Sequence, residues 1–120
     1  MNLVAQALVG LIAVLHVYFF VLEAILWRKP LGMKTFRTDP AFAERSAALA
    51  ANQGLYNLFL SAGLVWGLVA AEPVAFQAKV FFLACVIIAG VFGAATVSRR
   101  ILFIQAVPAI LALALVFLSR

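Results

Sequence analysis

The apolar residues of this chain fall into four long runs, Leu3 to Trp27, Ala47 to Ala70, Val74 to Val97 and Ile101 to Leu118, with little sequence between them. Each is close to the ~20 residues that a helix needs to cross a ~30 Å hydrocarbon core. A helix closes its backbone hydrogen bonds within itself, so such a run can be buried in lipid as a helix and not as a lone strand. A membrane barrel would instead show ten-residue segments of alternating polarity, and none occurs here. Composition agrees: 68% of the 120 residues are hydrophobic and 11% charged, with a mean hydropathy of +1.18, far from the balance of a soluble domain. The reading is an all-α integral membrane four-helix bundle, one domain over residues 1–120, with helices at about 3–27, 40 or 47–70, 74–97 and 101–118. No internal repeat, low-complexity tract or soluble appendage is visible.

Charge placement predicts an orientation. Arg28 and Lys29 follow the first run rather than precede it, so that run reads as a retained helix and not as a cleaved signal. Arg28, Lys29, Lys34, Arg37 and Arg45 flank the first connection, Arg99 and Arg100 mark the third, and only Lys79 and Arg120 lie on the other side. The positive-inside rule then makes the first and third connections cytoplasmic and puts both termini outside. A bacterial inner membrane is the expected location and the lipid bilayer the first partner. The net charge of +5 is accounted for by this asymmetry and by headgroup contact. It does not point to nucleic acid, because no basic helix or aromatic-basic platform accompanies it.

The first connection holds the only substantial polar segment, Arg28 to Glu44, punctuated by Pro30, Gly32 and Thr38-Asp39-Pro40. Asp39 followed by Pro40 has the form of an N-cap and first helical residue, so the second helix is expected to start near Pro40. Glu72-Pro73 suggests a similar start for the third. Pro108 falls inside the fourth, where it removes one backbone hydrogen bond and bends the helix.

Ionisable and amide groups inside the apolar runs are the candidates for function, since holding them in lipid is costly. At ~1.5 Å per residue, Glu23 lies about 8 Å inside Arg28, and Asn52 and Gln53 lie about 10 to 12 Å inside Arg45 on the neighbouring antiparallel run. By the same rise, His16 is about 18 Å from Arg28, and Tyr56 and Asn57 are about 17 to 18 Å from Arg45. Two matched polar levels result. His16 and Glu23, seven apart, share a helix face, as do Asn52 with Tyr56 and Gln53 with Asn57, four apart. Gln105, about 8 Å inside Arg100, is placed to join the shallower level. The inference is a cytoplasm-facing polar site that binds a small or lipophilic ligand, with His16, Glu23, Asn52, Gln53, Tyr56, Asn57, Arg100 and Gln105 as its candidate residues.

The competing reading is structural, in which these groups only hydrogen-bond across helices at well under ~1 kcal/mol each. A carboxyl group held in lipid at a few kcal/mol for so small a return is a poor exchange. No metal is expected: His16, Glu23 and Asn57 are potential ligands, but helix spacing alone does not bring them to the ~2.0 to 2.2 Å that zinc requires. Cys85 is the only cysteine, so no disulfide forms within the chain, and it reads as buried packing. Gly63 and Gly67 match the small-xxx-small packing pattern, and Gly90 and Gly93 give the third helix a small face. Whether those faces pack within one chain or between copies is open at this level. No nucleophile elbow, phosphate loop or metalloprotease signature occurs.

Two resemblances extend this reading. Leu15-His16-Val17-Tyr18-Phe19 through Glu23, combined with Leu49-Ala50-Ala51-Asn52-Gln53-Gly54-Leu55-Tyr56-Asn57 at this length, resembles a family of short bacterial and fungal membrane proteins known as a domain of unknown function. That likeness covers nearly the whole chain and implies four membrane helices without naming an activity. More distantly, four helices, a basic first connection and Phe42-Ala43-Glu44-Arg45 leading to Asn52 and Tyr56 resemble the membrane-associated proteins in eicosanoid and glutathione metabolism (MAPEG). That likeness implies a homo-oligomer, specifically a trimer, with glutathione as cofactor bound between subunits by Asn52, Tyr56 and Arg100 in a transferase or isomerase. The chain departs from the pattern at Ala48 and Leu55, where the family has arginine and glutamate, and at Ala94, where its third helix carries tyrosine. Three functional classes are therefore carried forward: a ligand-binding membrane protein, a glutathione-linked enzyme, and a structural or assembly protein with no ligand.

Overall fold

A computed structural model describes residues 3–119, which are helical throughout apart from turns, with no strand among the described residues. Helix α1 is Leu3–Phe20 and runs into a π-helical turn at Val21–Ile25. Helix α2 is Pro30–Phe36, α3 is Pro40–Val69 and α4 is Val74–Thr96. A second π-helical turn, Leu102–Ala106, continues as α5, Val107–Leu118. Two helical stretches, Leu3–Ile25 and Val74–Thr96, are long and apolar enough to cross a membrane, and Leu102–Leu118 is apolar but shorter. At 30 residues α3 has the length, but Asn52, Gln53, Tyr56 and Asn57 lower its hydropathy.

Local chemistry explains the helix starts. Asp39 Oδ1 accepts the Phe42 backbone N–H at 2.8 Å, so α3 is capped by Asp39 and begins at Pro40, whose missing N–H costs nothing at a first position. At α4 the match is looser: the helix begins at Val74 with Pro73 at its N-cap position, and Glu72 Oε1, one residue earlier, accepts the Phe76 N–H at 2.9 Å. Pro108 has no N–H to offer the carbonyl of Ile104 and would crowd it. The chain widens into the Leu102–Ala106 turn just before it, with the Val107 N–H donating to the Leu102 carbonyl.

The first connection differs from the polar loop that its sequence predicts, because it contains a helix. Pro30 occupies the first position of α2, where its fixed φ is already helical. Gly32 makes the turn into α2 possible: a Cβ there would collide with the Leu26 carbonyl oxygen and lie 3.0 Å from the Trp27 Cα. The helix ends at Arg37, in the left-handed region at φ 55° and ψ 47°, with the Thr38 N–H donating to the Met33 carbonyl at 3.0 Å.

The described residues form two compact units, one from Val14 to Ser61 and one made of α1 through Ala13 together with everything from Ala62 onward. In the latter, α4 and α5 pair as an antiparallel hairpin. Ala75, Ala78, Leu83, Val86 and Gly90 of α4 are buried, as are Ala106, Ala109, Ala112 and Val116 around α5. Small residues set this spacing: a Cβ on Gly90 would sit 2.8 Å from the Ala106 Cβ. The Phe76 and Phe117 rings meet edge to face at 5.5 Å at the far end of the same pair. Gly63 and Gly67 pack within the chain, against the Phe82 ring and the stem and backbone of Lys79. Their small-xxx-small pattern is therefore used inside this unit.

In the unit from Val14 to Ser61, the end of α1, its π-helical turn and α2 pack with the first two thirds of α3. Ala43, Ala50, Gly54, Asn57 and Ser61 are the buried positions of α3 here, at spacings of seven, four, three and four. That is one helix face, and it carries no large side chain. Trp27 closes the other end: its indole Nε1 donates to Ser46 Oγ at 3.0 Å, and its ring lies 4.9 Å from that of Phe36.

Candidate functional site

Glu23 sits in the middle of the π-helical turn at the end of the first apolar helix. A π turn inserts an extra residue into the helix and is found disproportionately at functional sites. Opposite it stands Gly54 of α3. A Cβ on Gly54 would lie 3.2 Å from the Glu23 Cβ, 3.3 Å from the Phe20 carbonyl oxygen and 3.4 Å from the Ala24 nitrogen, so the missing side chain lets the two backbones approach. One turn further along α3, Asn57 reaches the carboxyl group, its Nδ2 donating to Glu23 Oε1 at 2.5 Å. Asn57 is buried, at 7% exposure, and Glu23 is half-buried.

The pair leaves hydrogen-bonding capacity unused. A carboxylate offers about four lone-pair sites and an amide carbonyl two. Neither the second Glu23 oxygen nor the Asn57 carbonyl oxygen has a hydrogen-bond partner among the described residues. The pair thus keeps two acceptor oxygens without a hydrogen-bond partner, and no cation among the described residues forms an ion pair with Glu23.

The other candidates are distributed differently. His16 is fully buried, its ring edge-on to Phe19 at 5.1 Å, and it takes no part in the Glu23–Asn57 bond. Asn52, Gln53 and Tyr56 are exposed. Asn52 lies five residues before Asn57, about 140° round the helix, so matched depth does not bring it to Glu23. Tyr56 packs on Phe59 of its own helix at 5.8 Å. Arg100 and Gln105 belong to the other unit, the exposed Arg100 donating its backbone N–H to Ser98 Oγ at 3.2 Å. Sequence reasoning missed Gly54, although it falls on the small-residue spacing of α3, and it missed the π turn, which has no sequence signature of its own. Among the described residues no three His, Cys, Asp or Glu side chains gather as metal ligands.

A family model described as a protein of unknown function (DUF1304) matches residues 10–117. The chain belongs to the DUF1304 family. That span holds every candidate residue named above, including the Glu23–Asn57 pair of this DUF1304 chain. No curated protein and no solved structure matches it.

Proposed function

We propose that this DUF1304 chain is an integral membrane protein of four spans, with its first and third connections in the cytoplasm, and that Glu23 and Asn57 form a polar site for a small or lipophilic ligand within it. The observation that carries the ligand reading is the hydrogen bond between them, which uses one carboxyl oxygen and leaves the second, with the Asn57 carbonyl, unpartnered. The energetics favour a use beyond packing. Glu23 lies about 8 Å inside the Arg28 end of its span, where holding a carboxyl group in lipid still costs free energy, whereas an interhelical hydrogen bond in a membrane returns only ~0.6 kcal/mol on average. An acceptor pair of this kind suits a ligand that brings a hydrogen-bond donor. No feature of the described geometry favours glutathione over other ligands.

Native mass spectrometry of the protein released gently from its membrane tests this reading. The wild-type chain is expected to retain a small molecule that Glu23→Ala and Asn57→Leu lose, while circular dichroism shows unchanged helix content. A wild-type chain without any retained mass, together with variants that lower only the melting temperature, overturns the ligand site and leaves the pair as a structural contact.

A further inference from the structure

Within the unit Val14 to Ser61, nothing covers the face of α3 that is turned away from Gly54 and Asn57. Leu49, Asn52, Tyr56 and Phe59 are all exposed, and their spacing of three, four and three residues is that of a coiled-coil seam. Gln53 is exposed beside Asn52. Neither amide finds a hydrogen-bond partner among the described residues, and Tyr56 and Phe59 stand edge to face as an aromatic ridge below them. An unpaired amide in hydrocarbon is expensive, so on the four-span reading, which this inference rests on, something must cover these groups.

We propose that a second copy of this chain covers them, in a parallel self-association along the Leu49–Phe59 face. Lipid tails offer no hydrogen bond. Copies inserted in one orientation and related by an axis along the membrane normal carry Asn52 at the same depth. An amide is both donor and acceptor, so Asn52 and Gln53 are their own complements. Asparagine at one seam position fixes register and oligomer number in parallel coiled coils, and polar side chains act as glue between membrane helices that lack a hydrophobic drive to associate.

Cysteine cross-linking in native membranes tests this, in a Cys85→Ser background that removes the only native thiol. Leu49→Cys and Phe59→Cys keep both amides and are expected to cross-link several-fold more than Ala47→Cys and Ala51→Cys on the other side of α3. Adding Asn52→Leu and Gln53→Leu to Phe59→Cys is expected to cut its cross-link several-fold while the protein still inserts. Leu55→Cys, exposed beside the seam, reports on the span itself through a membrane-impermeant maleimide. Protection of Leu55→Cys with no preference for positions 49 and 59, or with a cross-link that is indifferent to loss of the amides, overturns self-association alone. Free labelling of Leu55→Cys from water overturns the four-span reading and this inference together.

Discussion

At the residue scale, Glu23 is held by one neighbour and admitted by one absence. Asn57 supplies the donor, and the missing Cβ of Gly54 supplies the distance. Removing either hydrogen-bonding partner leaves the other half-satisfied, while removing both replaces a polar pair by apolar contact, which is often close to neutral. A double-mutant cycle of Glu23→Leu and Asn57→Leu, read by unfolding in detergent, is expected to give a coupling of about 0.6 to 1.7 kcal/mol. A coupling of zero would mean that the bond contributes nothing to stability. Gly54→Leu is expected to be worse than either single change, since a Cβ at 3.2 Å from the Glu23 Cβ already crowds the π turn and overpacking costs roughly 1 to 3 kcal/mol. Its readout is the same unfolding transition, together with loss of any ligand that Glu23→Leu also loses.

Helix termini and turns are where the elements of this chain are decided. The Asp39-Pro40 cap is legible in the sequence because its chemistry is local, and the oxygen at 2.8 Å from the Phe42 nitrogen is the one that the residue order predicts. Helix α2 is not legible, since seven residues form a marginal helix alone. This one persists because Gly32 fits under the Leu26 carbonyl and Phe36 lies on Trp27. Gly32→Ala is therefore expected to unfold α2, with a loss of roughly 1 to 3 kcal/mol or more and release of the Trp27 indole, visible as a red shift in its fluorescence. Glu44→Gln breaks the Arg28–Glu44 ion pair at 3.2 Å. Both side chains are mostly exposed, so it is expected to change the same transition by no more than ~1 kcal/mol. Fluorescence that stays unshifted in Gly32→Ala would show that α2 does not depend on that close approach.

For the whole molecule, the asymmetric distribution of basic residues predicts an orientation for the four-span proposal. Seven of the nine Lys and Arg residues lie around the first and third connections, and such a bias orients short-loop membrane proteins. Reporter fusions after Lys34 and after Arg99 are expected to show cytoplasmic activity, and a fusion after Glu72 the opposite. The same side for all three would contradict the span count. Membrane insertion is also consistent with the large apolar residues that α1 and α4 leave exposed, among them Leu11, Val14, Phe81, Ile88 and Phe92.

Helical class, the runs of apolar residues, the cap at Asp39 and the irregularity near Pro108 follow from the sequence alone, because each depends on neighbours a few residues away. The polar groups that interrupt the apolar runs were also legible, since a carboxyl or amide group stands out there. Which of those groups meet was decided by tertiary structure. Depth counted along two helices matches Asn52 with Glu23, but rotation about the α3 axis and the closeness allowed by Gly54 select Asn57 instead and turn Asn52, Gln53 and Tyr56 outward. Rise along a helix is written in residue number; the face that a helix turns inward is set by which side can pack most closely, and on α3 that side is the one without bulk.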